Sequence, residues 1–164
     1  MPMKVGGTIA PGCGSEFMSF GLLVRLYSLL GHREAEKIAN LVAIRDRKLV
    51  HRYLKALNAL RNDCAHHCRV WNRSTIYPPA KPPKKLTDER LHHLHGADSS
   101  RVYPLAALTG HFAIQLNPAT NWPRKFKEVM GKFPGPPGMT PEQQMGFPAD
   151  WRTEPMWSYD PKAS

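Results

Sequence analysis

An apolar stripe between Asp46 and Trp71 constrains the fold of this chain more than any other feature of the sequence. Its members recur every three or four residues, as on one face of an α-helix, over about seven turns: Val50, Tyr53, Leu54, Leu57, Leu60, Cys64, Cys68 and Trp71. No glycine or proline interrupts this stretch. Asp46 can cap the first turn, because its carboxylate accepts hydrogen bonds from unpaired backbone amides at a helix start. The pattern predicts one long amphipathic helix over residues 46–73.

Helical spacing recurs in four further segments, which we predict to be helices: residues 15–30, 33–44, 101–116 and 121–133. Short turns are predicted from Thr87 to about His95 and after Thr140. No segment shows the alternation of polar and apolar residues that is typical of a strand. Sixteen prolines are too many for an uninterrupted helical bundle. The sequence therefore predicts an all-α fold with Pro-rich loops and an irregular C-terminal tail.

A chain of 164 residues suits one domain with a modest core. We expect a flexible lead-in over residues 1–14, a single helical domain over 15–157 and a disordered end over 158–164. Within the domain, residues 77–86 form a connector rich in proline and lysine, and residues 134–157 form a docking tail. Phe147, Trp151 and Trp157 in this tail are expected to pack on the core, because buried aromatic rings can hold an irregular segment in place.

The charge of the chain favours an anionic partner. The net charge is +10, and residues 45–73 hold eight Lys or Arg against two Asp. A solvated basic face without a partner is the alternative. No apolar run is long enough to span a membrane and the N-terminus lacks the pattern of a secretory signal, so a cytoplasmic location is expected. Cys13, Cys64 and Cys68 contain no CxxC pair, which favours reduced thiols over disulfides.

A polar face on the predicted long helix offers the groups that phosphodiester chemistry needs. The face contains Asn58, Asn62, His66, Arg69 and Arg73, and Arg61 borders it. Arg can pair with phosphate oxygens, His can exchange protons near neutral pH, and Asn can orient either partner. Asp63 is the only acidic residue between Arg47 and Leu86, which argues against a two-metal nuclease. On spacing alone the face is a weak signal, because Arg and His on a helix surface are more often solvated or locally paired.

Two motifs on this helix resemble known families. The pattern Arg61-Asn62-x-x-x-His66 resembles the motif of HEPN ribonucleases, and residues 57–73 (LNALRNDCAHHCRVWNR) resemble the hallmark of the Abi (abortive infection) family. Residues 16–26 (EFMSFGLLVRL) are similar to another helix of that family. Residues 145–151 (MGFPADW) and 155–157 (PMW) are similar to its closing segment.

The resemblance implies a HEPN-like helical bundle that acts as a metal-independent endoribonuclease in antiphage defence, without cofactors. It implies that Arg61 and His66 are catalytic and that Asn62 supports them, with Glu16 a weaker candidate for polar support. Arg69 and Arg73 are our candidates for phosphate contacts, with a structural role as the alternative, and Asn58 and His67 complete the candidate RNA-binding set. RNA is the expected partner.

The family resemblance also bears on assembly. Family members usually carry further N-terminal helices, so we expect this chain to be an N-terminally short member. Its bundle would then be completed either by a second copy, which would place two Arg-His motifs in one shared cleft, or by a missing helical segment. The alternative is a truncated family member that is inactive even though the motif is intact.

Other interpretations of the sequence remain open. A noncatalytic RNA-binding or antitoxin-like module would use the same basic face. Cys64, His67 and Cys68 would need a fourth ligand to hold zinc, and His92, His93 and His95 fit a solvated turn better than a metal site. A DNA-binding helix-turn-helix is the weakest alternative, because the long helix shows no turn before a recognition helix.

Overall fold

The structure, a computed structural model, describes residues 19–134 and 137–162. These residues form six α-helices: α1 (Phe20–Leu29), α2 (His32–Leu41), α3 (Arg47–Ala65), α4 (Val102–Leu116), α5 (Trp122–Gly131) and α6 (Pro141–Gln144). Two 3-10 helices, Glu89–His95 and Trp151–Thr153, complete the regular structure. Among the residues described, β-structure is limited to an isolated bridge between Ile44 and Thr87. The predicted all-α class is confirmed.

Helix α3 lies at the centre of the bundle and packs against α1, α2 and α4. Val50 and Tyr53 on its apolar face are fully buried. The Asp46 carboxylate accepts hydrogen bonds from the amides of Lys48 and Leu49, at 2.8 and 3.3 Å, so the predicted cap forms. The Tyr27 hydroxyl of α1 lies 3.2 Å from the carbonyl oxygens of Ala35 and Arg47, which ties the first three helices together.

Helix α4 is buried along most of its length and supports the C-terminal segment. Phe147, Trp151 and Trp157 join the main core, with the two tryptophans at most 2% exposed. The rings of Tyr103 and Phe147 lie 4.7 Å apart between centroids, and those of Trp151 and Trp157 lie 4.9 Å apart. These aromatic contacts fix a segment that contains little helix, in the way that the sequence predicts.

The predicted helix over residues 46–73 is too long, because α3 ends at Ala65. His67 adopts a left-handed conformation with φ of 53°. The amides of His67 and Cys68 then donate to the carbonyls of Cys64 and Asp63, at 3.1 and 2.9 Å. These two bonds form a Schellman motif, which satisfies carbonyls at the helix end and turns the chain away.

The early end of α3 changes the environment of several side chains. Cys64 and Cys68, which the sequence places in the apolar stripe, are exposed free thiols. Trp71 still reaches the core, but from the loop after α3, where its ring lies 6.0 Å from that of Phe133.

Some predictions fall outside the structure. The predicted lead-in over residues 1–14 and the candidate Glu16 lie outside the residues described. None of the helices in the described part of the chain has the length and apolar character needed to cross a membrane.

Candidate functional site

Arg61, Asn62 and His66 lie where α3 ends, and all three are exposed. Nη1 of Arg61 donates a hydrogen bond of 3.2 Å to Oδ1 of Asn62. His66 is the C-cap, and its amide donates to the carbonyl of Asn62 at 2.9 Å. Its imidazole makes no hydrogen bond to any described residue, so it can meet an incoming ligand.

Helix geometry explains why the bond between Arg61 and Asn62 matters. Asn62 and His66 are four residues apart and share a face of the helix. Arg61 and His66 are five residues apart, which separates them by about 140° around the axis and about 7.5 Å along it. The Arg61 side chain must therefore lean across the helix to approach His66. Its bond to Asn62 holds the guanidinium on the side of the helix where His66 lies.

A row of exposed cations leads along α3 to this position. Lys48, Arg52 and Lys55 follow one another at spacings of four and three residues, and Asn62 and His66 continue the same row beyond Ala59. We call Lys48, Arg52 and Lys55 the basic row. All three side chains are exposed. An anionic chain lying along α3 would meet three positive charges before it reached the His66 imidazole.

The candidates that follow His66 do not share its helical face, because the helix has ended. Arg69 and His67 are exposed in the loop. Nη1 of Arg73 lies 3.6 Å from Oδ1 of Asp63, and the Arg73 side chain is 40% exposed. The predicted common helical face over residues 58–73 is thus wrong beyond His66. The ion pair of Arg73 connects the loop to α3. This contact supports a structural role for Arg73 rather than a phosphate contact.

A groove between α1 and α3 opens beside the motif and was not predicted. It has a volume of about 310 Å³, and α1 supplies Gly21 and Val24 to its wall. The α3 wall includes Lys55, Asn58 and Asn62, and Tyr77 contributes from the connector. Asn62 therefore belongs both to this groove and to the Arg61 pair. Sequence reasoning did not assign a site role to Lys55, Gly21 or Tyr77, because no pattern within one segment shows which segments meet in the folded chain.

The described residues bring no three His, Cys, Asp or Glu side chains together in a way that would hold a metal ion. The environments of His92 and His93 also differ from the solvated turn that the sequence predicts, because both side chains contact other parts of the protein. Nε2 of His92 lies 3.1 Å from the carbonyl oxygen of Lys84. His93 packs against Tyr103 with 5.5 Å between ring centroids, and burial lowers the pKa of His93 to about 4.

Comparison with known families bears directly on this site. Residues 14–72 match the model of the family described as Abi-like protein. This segment belongs to the Abi-like family. The match includes α1, α2, α3 and most of the hallmark run, so the predicted resemblance is confirmed there. Membership associates the Abi-like segment with abortive infection, a form of defence. No curated protein and no solved structure matched the chain.

Proposed function

We propose that this Abi-like chain is an endoribonuclease of the HEPN type that acts in antiphage defence, with Arg61 and His66 as catalytic residues. One observation carries the proposal: the exposed Arg61 guanidinium donates to Oδ1 of Asn62, and Asn62 lies four residues before the exposed His66. A guanidinium and an imidazole are the two groups needed to stabilise a phosphate and to move protons.

The proposed reaction uses a nucleophile that RNA itself carries. The ribose 2′-oxygen attacks the adjacent phosphorus, the new P–O2′ bond forms and the P–O5′ bond breaks. The products are a 2′,3′-cyclic phosphate and a free 5′-hydroxyl. His66 acts either as the general base that accepts the proton of the 2′-hydroxyl or as the general acid that donates a proton to the leaving 5′-oxygen. Arg61 stabilises the charge that develops on the phosphate oxygens, and Asn62 holds Arg61 in place.

Cleavage of single-stranded RNA in the presence of EDTA tests the proposal. The wild-type protein is expected to cut the RNA and leave 5′-hydroxyl ends, which polynucleotide kinase can label without prior phosphatase treatment. His66→Ala should lower the cleavage rate by at least about a hundredfold while RNA binding stays within about twofold of wild type. His95→Ala, which removes an exposed imidazole elsewhere, is the matched control. Undiminished cleavage by His66→Ala would overturn the catalytic assignment.

A noncatalytic RNA-binding or antitoxin-like module is the second candidate. The basic row favours it, because three exposed cations on one helix face suffice to hold RNA without any chemistry. Tight binding by the wild-type protein without any cleavage in the same assay would favour this function over the nuclease.

We also propose that two copies of the chain pair. Support comes from exposed leucines on the solvent side of α1, where Leu22, Leu26 and Leu29 recur at helical spacing and Leu29 is 73% exposed. Leu41 of α2 is 72% exposed. Surfaces of this kind often mark interfaces between proteins. Light scattering after size exclusion should give the mass of a dimer for the wild type and that of a monomer for Leu26→Lys. A wild-type monomer that cuts RNA would overturn pairing and spare the chemistry.

A further inference from the structure

We propose that the groove between α1 and α3 binds an unstacked nucleobase of a single-stranded RNA, next to the phosphate that the Arg61 and His66 pair meets. The inference rests on the proposed function, since it names the substrate class of the same site. The groove adjoins the motif and shares Asn62 with it.

The side chain that points to a base is Asn58. Its Oδ1 atom is buried and has no hydrogen-bond partner among the described residues. A buried polar atom without a partner is costly, and rotation of the Asn58 amide towards the groove that it lines would let a ligand supply the partner. An asparagine amide offers one acceptor and two donors. This set matches the edge of a base, as in the bidentate pairing of Asn with N6 and N7 of adenine.

The rest of the groove fits the same occupant. Tyr77 lies on its wall and is 55% exposed, so its ring can stack on a base that has left the helical stack. Lys55, the last member of the basic row, lies on the wall too and can contact the phosphate that accompanies the base. The volume of about 310 Å³ is at the small end of the range for ligand sites.

Gly21 leaves room for this occupant on the α1 side. A Cβ atom added at Gly21 would lie 3.6 Å from both Oδ1 and Nδ2 of Asn58. This is ordinary contact distance, so alanine fits without a clash. The added methyl group would nevertheless stand directly over the amide that we assign to the base.

Because Asn62 is shared by the groove and the Arg61 pair, a base held by Asn58 would place its own phosphate linkage close to the motif. The base bound in the groove would then determine which phosphodiester linkage is cut. Cleavage preference would follow the base in the groove, and the motif itself would supply only the chemistry.

The experiment measures base preference separately from cleavage. Fluorescence polarisation of labelled A, C, G and U homohexamers is recorded in the His66→Ala background, so that no probe is consumed. We expect the tightest hexamer to bind at least about tenfold better than the weakest. Asn58→Ala should reduce that ratio to less than twofold. Tyr77→Ala should weaken all four hexamers by a similar factor, because stacking accepts every base.

Two further variants keep the result clear if Asn58→Ala harms the fold. Gly21→Ala should preserve or raise the thermal midpoint, because alanine favours a helix, and should lower the preference ratio by about threefold or more. Asn40→Ala on α2, which removes an exposed amide that does not line the groove, should leave the ratio unchanged.

The inference is overturned if the four hexamers bind equally, if none binds, or if the preference persists in both Asn58→Ala and Gly21→Ala. The proposed function fails by a different result, which is cleavage that survives His66→Ala. A base preference that depends on Asn58 in a protein that does not cut RNA would support the groove and reject the nuclease.

Discussion

At the scale of single residues, Asn62 makes two hydrogen bonds that bear on the site. Its carbonyl oxygen accepts the amide of His66, and its side chain accepts the guanidinium of Arg61. The first bond is part of any helix end, whereas the second depends on the side chain. Asn62 is therefore a positioning residue, and its removal should change the chemistry of Arg61 more than the fold.

Asn62→Ala is expected to lower the single-turnover rate of RNA cleavage by about tenfold to a hundredfold, with little change in RNA affinity. Loss of the side-chain oxygen frees the guanidinium to leave the face that it shares with His66, and small displacements of catalytic groups cost rates of this order. Asn40→Ala is the control. A variant with wild-type cleavage would show that the bond between Arg61 and Asn62 is incidental to the reaction.

At the scale of the element, His67 determines where α3 ends. A left-handed conformation is unfavourable for a residue with a Cβ atom, although His is one of the residues that adopt it more often than most. Because His67 supplies this turn, the chain leaves the helix axis directly after His66. That placement exposes the imidazole of His66 at a helix end rather than in the middle of a helix.

His67→Gly is expected to stabilise the protein by about 0.5–1 kcal/mol, because relief of the left-handed strain exceeds the entropy that glycine loses on folding. The free energy of unfolding from urea titration measures the effect. His67→Ala removes the same imidazole but keeps the Cβ atom, so it should not stabilise. Destabilisation by glycine would mean that the His67 side chain contributes contacts that outweigh the strain.

The basic row on α3 permits a second test at this scale. Replacement of Lys48, Arg52 and Lys55 by glutamine should reduce the slope of log binding constant against log salt by about 2 for single-stranded RNA, since each phosphate contact contributes about 0.7. Replacement of Arg124, Lys125 and Lys127 on α5 by glutamine is a control of equal charge. An unchanged slope for the α3 variant would mean that the row is a solvated surface.

The accuracy of sequence reasoning differs between these elements for physical reasons. Helix α4 begins and ends within one residue of the predicted positions, because a periodic apolar face and Pro118 after its end bound it. Helix α2 begins next to Gly31, within one residue of the predicted position, but ends at Leu41, three residues early, since no glycine or proline marks that end. The end of α3 was missed because no glycine or proline marks it. Cys68 and Trp71 also continue the apolar spacing past the true end of the helix.

Residue spacing predicted only the part of the candidate site that lies within one helix. Asn62 and His66 share a face because they are four residues apart in a helix, and this much follows from the sequence. The groove depends on three separate segments that meet only in the folded chain, namely α1, α3 and the connector at Tyr77. No periodicity within one segment carries that information.

Two histidines, the buried His111 and the partly buried His93, link the stability of the whole molecule to pH. Nε2 of His111 lies 2.8 Å from the carbonyl oxygen of Val42, which joins α4 to the end of α2, and its Nδ1 is buried without a partner. Burial lowers the pKa of His111, and it lowers the pKa of His93 to about 4. Protonation of either ring would place an extra charge in the interior of the bundle.

Stability should therefore fall as the pH is lowered from about 6.5 towards 4. In this range the unfolded chain binds a proton on His93, whose ordinary pKa is 6.5, while the folded chain does not. The pKa of His111 is also lowered by burial, so this residue acts in the same direction. The contribution of His93 is fully present above pH 6.5 and is lost as the pH approaches 4. The hydrogen bonds from Arg90 hold the pKa of Asp88 at about 2, so this carboxylate keeps its charge throughout that range.

Urea titrations followed by tryptophan fluorescence at pH 7.5 and pH 4.5 measure this effect. The wild type is expected to lose about 2 kcal/mol or more between the two conditions, because each unit of pKa difference corresponds to about 1.4 kcal/mol. His93→Gln cannot titrate, so its own loss between the two pH values should be smaller, whatever its stability at pH 7.5. An equal loss in both proteins would show that the acid sensitivity arises from groups other than His93.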